Sequence, residues 1–268
     1  MGSLSWFWCC FCRKASFLSF PGEAFVSHKD ALLRVEQVVM RFGGFRALDG
    51  VSFRVAAGEA LGLLGPNGSG KTTCINVISG VYPPSAGRVF FADRDITGKA
   101  PNLLARMGIN RTFQSPRPFL SLTVRENVEL AAAYGGRGSL PMGIEDILDF
   151  LELREFAEKP AEGLNSAQQK RLDLARALAT NPRLVLIDEI AAGLNPLELR
   201  KMAQCLRALA SRGIALLVVE HLLSFLEEVT DRVIVLNAGR EIFEGSLRAA
   251  RHDQEVIRVF LGTAAHAG

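Results

Sequence analysis

Nine consecutive residues, Gly65, Pro66, Asn67, Gly68, Ser69, Gly70, Lys71, Thr72 and Thr73, satisfy the spacing G-x-x-x-x-G-K-S/T through Gly65, Gly70, Lys71 and Thr72. The chemistry that spacing suits is the holding of a nucleotide's phosphates, because backbone N–H groups of a tight loop converge on the anion. Small residues let the backbone come close. Lys71 would set its ammonium on the β- and γ-phosphates, Thr72 would offer its hydroxyl to Mg2+, and the positive end of a following helix would add to the anion site. The plain alternative is a glycine-rich turn with a chance lysine. The flanks weigh against it: residues 60–64 are an apolar run of strand type, and residues 74–79 have helical apolar spacing.

A second group of candidate residues lies far along the chain. Residues 184–187, Leu-Val-Leu-Ile, form the apolar run that a strand covered on both faces requires, and they end in Asp188 and Glu189. Open α/β sheets bind ligands at the carboxyl ends of their strands. Asp188 would hold Mg2+, directly or through water, and Glu189 would polarise an attacking water. An isolated Asp-Glu pair is more often a cap and a solvated charge, and a phosphate loop in the same sheet reverses that judgement. His221 ends another buried run, residues 214–219, and from there would reach a γ-phosphate; a lone histidine after a strand is otherwise structural.

The elements that must position these residues follow from periodicity. Leu33, Val35, Val38 and Met40, then Val51, Phe53 and Val55, predict antiparallel strands around a turn at 41–48. Beyond the phosphate loop come a turn at 82–87, a strand at 88–92, a short helix at 100–105 and a strand at 109–113 ending at Gln114. Thr123, with Glu126 three residues on, predicts a capped helix to about Tyr134. A glycine-rich break at 135–141 and helices at 144–150 and 153–159 make a strandless middle lobe. A helix at 166–180, the strand at 184–187, a helix at 196–211, the strand at 214–219 and a helix at 222–229 alternate as in a parallel sheet. Residues 233–236 and 241–244 predict a hairpin. The fold class is α/β: a mostly parallel central sheet, an antiparallel β subdomain and an inserted helical subdomain.

A chain of 268 residues, 49% hydrophobic and 22% charged, buries a sizeable core and is not a disordered one. A net charge of +3, spread along the chain, is unlike the basic stripe of a nucleic-acid binder, so no nucleic-acid partner is expected. Five cysteines form no disulfide framework; Cys74 and Cys205 fall on helix faces expected to be buried, which fits a reducing compartment. Residues 1–31 stand apart. They hold Trp6, Trp8, several phenylalanines and Cys9, Cys10 and Cys12, but no apolar run reaches the ~20 residues of a membrane span. Signal-peptide, myristoylation and metal-site patterns do not fit. The segment reads either as an interfacial anchor, with Arg13 and Lys14 on lipid phosphates, or as a disordered extension or residues translated from an early start codon.

Across residues 32–262 the chain resembles the ATP-binding subunit of an ABC transporter, a P-loop NTPase. The matching motifs, in the family's order, are the phosphate loop at 65–73, the glutamine loop at Gln114, the Walker B strand at 184–189, the D-loop Gly193-Leu194-Asn195-Pro196 and the switch histidine His221. Phe42, with Phe45 nearby, falls where that family stacks adenine, for which any π-face serves. Arg41-Phe42-Gly43-Gly44, Asn110-Arg111-Thr112-Phe113-Gln114, the run 191–196 and Val259-Phe260-Leu261-Gly262 are similar to importers of branched-chain or other hydrophobic amino acids. The resemblance implies one ATPase domain over 32–262, a helical subdomain inserted at about 115–180 and a short tail at 263–268.

The same resemblance implies ATP and Mg2+ as ligands, with Thr72, Gln114 and Asp188 at the metal. Glu189 would be the general base, His221 and Lys71 would hold the γ-phosphate, and Gln114 would relay the metal's state to the permease through residues 115–122. Two cassettes would pair head to tail, each ATP lying between one phosphate loop and the other's signature helix. The signature departs from the family's pattern: Asn165 replaces serine and Ala167 the second glycine in Leu164-Asn165-Ser166-Ala167-Gln168, while Ile190 stands for proline and Leu222 for aspartate. If position 167 needs positive φ, alanine costs roughly 1 kcal/mol there. The expected partners are transmembrane permease subunits, a second ATPase subunit (a heterodimer ahead of a homodimer) and, indirectly, a periplasmic binding protein. The expected place is the cytoplasmic face of a bacterial inner membrane, peripherally bound. Alternatives are an importer of urea or amides, a non-transport ATP switch, and a binding-only subunit with a degenerate signature. A GTPase is disfavoured, since no Asn-Lys-x-Asp motif occurs.

Overall fold

The structure is a computed structural model, and it describes residues 31–135 and 142–264. The expectations for residues 1–30, for most of the glycine-rich break and for the end of the tail lie outside the described residues.

The chain opens with β1 (Ala31–Phe42) and β2 (Phe45–Ala56), which pair antiparallel with Phe42 opposite Phe45. The turn is the two residues Gly43 and Gly44, with Gly43 at φ 57, and not the eight-residue segment that the sequence suggests. A two-residue turn of this hand matches the twist of the flanking strands and so lets the ladder run to its end. The buried residues of β1 change phase, from Leu33 and Val35 to Val38 and Met40, and the register shifts between Val35 and Val38. A bulge absorbs the change: Gln37 sits at φ 48, and both its backbone N–H and its side-chain amide donate to Ser52 Oγ at 2.8 Å. With β4 (Ala86–Phe91) and β5 (Arg94–Asp95) these strands make a four-stranded sheet, order β2-β1-β4-β5.

The second sheet has six strands, order β10-β9-β3-β8-β7-β6. Its members are β3 (Ala60–Leu64), β6 (Ile109–Arg111), β7 (Leu184–Asp188), β8 (Ala215–Val219), β9 (Arg232–Asn237) and β10 (Arg240–Gly245). All neighbours pair parallel except the β9–β10 hairpin. Every residue of β3, β7 and β8 is buried, as continuous apolar runs demand. Alternate side chains feed two separate cores. Leu61, Leu63, Leu184, Leu186 and Leu217 face one side with Ile75 and Ile78 and the first sheet. Leu64, Val185, Ile187, Leu216 and Val218 face the other, with Leu206 and Leu209. Each such side chain contributes about 1.5–3 kcal/mol by leaving water, which fixes the strand ends where the polar residues emerge.

The helices are α1 (Lys71–Ile78), α2 (Pro101–Met107), α3 (Val124–Tyr134), α4 (Ile144–Phe150), α5 (Ser166–Ala179), α6 (Pro196–Ser211), α7 (Leu223–Val229), α8 (Leu247–Ala250) and α9 (Gln254–Ala264). Thr123 caps α3 through a reciprocal pair with Glu126. The helix expected at 153–159 is a single 3-10 turn, Arg154–Phe156. Glu152 at φ 54 breaks the chain before it and Pro160 stops it after, and so short a stretch cannot offset the cost of helix nucleation. Strand β6 ends at Arg111 rather than at Phe113, because the Phe113 N–H leaves the ladder and donates to Asp173 Oδ2 at 2.8 Å. Cys74 is buried but Cys205 only partly so, and burial pushes both thiols up to about 12, which leaves them inert. No helix among the described residues is long and apolar enough to cross a membrane.

Candidate nucleotide site

Strand β3 delivers its chain end into the phosphate loop, and the glycines there are demanded by packing. A Cβ on Gly65, at φ 147, would stand 2.5 Å from Ser69 Oγ and drive into the Leu236 carbonyl at the end of β9. One on Gly70, at φ 107, would stand 2.6 Å from the Ala47 carbonyl oxygen. The loop is pinned by Gly239 N–H donating to Ser69 O at 3.0 Å. Ser69 is buried, and its Oγ has no protein partner. Lys71 opens α1 with its side chain folded against the loop, donating to Gly65 O at 2.8 Å and Pro66 O at 2.9 Å. Burial holds its pKa below the ordinary lysine value, against the pull of Glu189 and Asp188. Asn67, Gly68 and Thr72 are exposed, with Pro66, Gly70 and Thr73 half-buried around them.

The parallel neighbours β6, β7 and β8 bring two residues, Gln114 and His221, to the carboxylate of a third, Glu189. Glu189 follows β7 at φ 50, its N–H donating to Val219 O of β8 at 2.9 Å. Its Oε2 accepts from Gln114 Nε2 at 2.6 Å, and its Oε1 meets His221 Nε2 at 3.0 Å. Asp188 ends β7 almost wholly buried. Burial raises its carboxyl's pKa, while the Arg111 guanidinium, 3.5 Å from Oδ2, opposes the rise. The hydroxyl of Thr72 and the carboxylate of Asp188 are hard oxygen donors, the kind Mg2+ takes alongside phosphate oxygens, so this donor set fits the metal.

The remaining expected residues stand elsewhere. Phe42 is 44% exposed at the hairpin tip, its ring edge-on to Tyr82 with centroids 5.4 Å apart, and Phe45 is more exposed still. Asn165 caps α5: its Oδ1 accepts from Gln168 N–H and Gln168 Oε1 accepts from Asn165 N–H, both at 2.9 Å. Ser166, Ala167 and Gln168 are regular helix, and Ala167 is not among the positive-φ residues, so the glycine-to-alanine strain allowed for in the sequence does not arise. Asn195 caps α6, accepting from Leu197 and Glu198 N–H at 3.0 Å. No hydrogen bond among the described residues joins these two caps to the phosphate loop.

Sequence reasoning gave no role to three charges beside the site, the half-buried Arg111 and the buried Lys170 and Glu220. Arg111 donates to Asn76 Oδ1 at 2.7 Å and Ser79 Oγ at 3.3 Å on α1 as well as facing Asp188, and its guanidinium lies 4.8 Å from the centre of the Phe113 ring. Lys170 on α5 donates to Ile190 O at 3.0 Å and to Ala192 O. Glu220, between β8 and His221, accepts from Ala191 N–H at 2.6 Å, and burial pushes its carboxyl up to about 7. A signal was present for two of them, an arginine inside a short strand and a glutamate directly after an all-apolar one.

A mostly parallel sheet whose β3 opens through a glycine-rich loop into a helix, and whose β7, one strand away across β8, ends in an aspartate followed by a glutamate, defines a P-loop nucleotide-binding ATPase. Residues 48–192 match the sequence profile of the ABC transporter family. The chain is 36% identical over 250 residues to a probable branched-chain amino acid transport ATP-binding protein, LivG, of Methanocaldococcus jannaschii, covering 86% of this chain and 97% of that one. It superimposes on a nucleotide-free ATP-binding cassette from an ABC transporter with a TM-score of 0.79 at 35% identity, covering 86% and 98% of the two chains. It also superimposes on the ADP conformation of MJ1267, another such cassette, with a TM-score of 0.78 at 35% identity over 87% and 99%. The chain belongs to the ABC transporter family, as a nucleotide-binding ATPase coupled to transport. Membership carries with it membrane permease partners and the pairing of two cassettes.

Proposed function

We propose that this subunit powers an importer of branched-chain or other hydrophobic amino acids from the cytoplasmic face of a bacterial inner membrane, within a complex of permease subunits and a second cassette, loaded by a periplasmic binding protein. The observation that carries the hydrolytic part is the meeting of Gln114 and His221 on the Glu189 carboxylate, at the ends of three neighbouring strands. The substrate class is supported by the likeness to LivG. The catalytic unit spans 32–262, with the helical subdomain inserted at about 115–180.

Each residue has a role in this reading. The backbone of 65–73 and the Lys71 ammonium hold the phosphates, and Phe42 stacks on adenine. Thr72 and Asp188, with Gln114 nearby, hold Mg2+, which when bound neutralises phosphate charge. Glu189 takes a proton from the attacking water, and His221 fixes that carboxylate and the γ-phosphate. Asn165, Ser166, Ala167, Gln168 and Asn195 face the partner's nucleotide across the dimer, where the N-terminus of α5 adds positive potential. Half-exposed Phe113, Phe119 and Leu120 give the permease an apolar docking face. The partner cassette is a different chain with an unmodified signature.

Lys71→Ala is expected to weaken MgATP binding at least tenfold, whereas Glu189→Gln retains binding and stops turnover. In cells lacking the gene, uptake of labelled leucine should fall, and be restored by the wild type but not by Glu189→Gln. Loss of urea uptake with leucine uptake intact would overturn the substrate class. Vigorous cooperative turnover by the isolated subunit, unchanged by Asn165→Ser and Ala167→Gly, would overturn the heterodimer.

A further inference from the structure

Between the hydrolytic Glu189 and the α6 cap Asn195, the backbone of residues 190–192 is gripped from two sides. Lys170 Nζ takes the carbonyls of Ile190, at 3.0 Å, and Ala192, while Glu220 Oε1 takes the N–H of Ala191 at 2.6 Å. Both side chains are almost wholly buried, at 6% and 3% exposure. The Ala191 bond closes a ring. From Glu189 the chain runs to Ala191, crosses by hydrogen bond to Glu220, passes along the backbone to His221, and returns through His221 Nε2 to Glu189 Oε1 at 3.0 Å. Lys170 fastens that ring to the signature helix, about 6 Å along α5 from its first residue.

We propose that Lys170 and Glu220 are positioning residues that lock the signature helix, the base Glu189 and His221 into one rigid piece, so that a displacement of α5 is felt at this subunit's own hydrolytic carboxylate. Stability alone does not account for the pair. Buried charges are costly, and apolar residues of similar volume often serve a fold as well or better. What an ammonium and a carboxylate supply here is aim: three donors on Nζ reach two carbonyls at once, and a carboxylate oxygen fixes the one amide between them. A methyl or isobutyl group in either place would fill space but leave the ring free to shift, and a misplacement of about 1 Å from a change remote from the chemistry costs on the order of a hundredfold in rate.

The inference rests on the ATPase reading above, and its test separates the two. In the complete complex of permease and both cassettes, Lys170→Met and Glu220→Leu are expected to lower kcat for ATP at least tenfold while KM stays within twofold. Lys170→Arg and Glu220→Gln, which keep a donor for the carbonyls and an acceptor for the amide, should recover most of the loss. A merely structural role would lower the melting temperature and activity together, with the conservative variants tracking stability instead of hydrogen-bonding capacity. That result, or wild-type kcat in folded Lys170→Met and Glu220→Leu, overturns the clamp and leaves the ATPase standing. A wild-type complex without ATP hydrolysis overturns both. Should Glu220→Leu fail to fold, the Met and Arg variants at position 170 carry the same contrast from the other side of the ring.

Discussion

Arg111 joins two elements with one side chain: α1, through Asn76 and Ser79, and β7, through Asp188. Removing it strands a buried carboxylate and two hydrogen-bond acceptors, so Arg111→Met is expected to destabilise the protein by about 3 kcal/mol, read from urea unfolding. Arg111→Lys should recover less than half, because a single ammonium lacks the planar fork that spans both partners. Full recovery by lysine would show that charge alone matters. The contrast with Lys71 explains what could be read beforehand. The phosphate loop is legible because its ligands are consecutive residues. Glu189 was legible as a carboxylate at a strand end. Arg111, Lys170 and Glu220 act on groups 20 to 77 residues away, and the partners of Lys170 and Glu220 are backbone atoms that carry no residue-type signal.

Elements built on a single period were foreseen closely. The runs at β3 and β8, and β7 as far as Ile187, are apolar and became the buried strands they imply. The phase change in β1 also stood in the sequence, although its cause, the bulge at Gln37, needed the partner strand to appear. Residues 153–159 misled because helical apolar spacing says nothing of a left-handed residue just before it. Helix α7 offers a test at this scale. Leu222 sits at its N-cap in extended conformation, makes no side-chain cap and is 41% exposed. Leu222→Asp would supply an acceptor for the first-turn N–H groups that precede Phe225, whose own N–H donates to Leu222 O at 3.1 Å, and a charge at the positive end of the helix, and is expected to stabilise by about 1 kcal/mol, seen as a higher urea midpoint. An unchanged midpoint would mean those N–H groups already have partners.

The whole molecule's response to pH should bear the mark of Glu220. Its folded pKa, about 7, lies above the ordinary 4.5 because burial disfavours the carboxylate, with Ala191 and His221 amides and Lys170 opposing and Glu189 adding to the rise. A proton is therefore held more tightly in the folded state. The stabilisation is complete below about pH 4.5 and is lost as pH rises through about 7. Glu220→Gln removes that titration, so between pH 4.5 and 8 the variant should gain roughly 3 kcal/mol relative to the wild type in urea unfolding. A constant difference across that window would place the carboxyl's pKa near its unfolded value.

The position of β3 between β8 and β9 governs how the protein can be made. The phosphate loop emerges from the ribosome early, but what shapes it comes last: Leu216 N–H on Glu59 O, Asp231 N–H on Ala60 O, and Gly239 N–H on Ser69 O. A nascent chain that has delivered Lys71 lacks both strands that flank β3 and the hairpin against which Gly65 must pack. Nucleotide therefore cannot serve as a template for the growing chain's early folding. Its binding reports instead that synthesis has passed the β9–β10 hairpin, well over half the chain after the loop itself was translated.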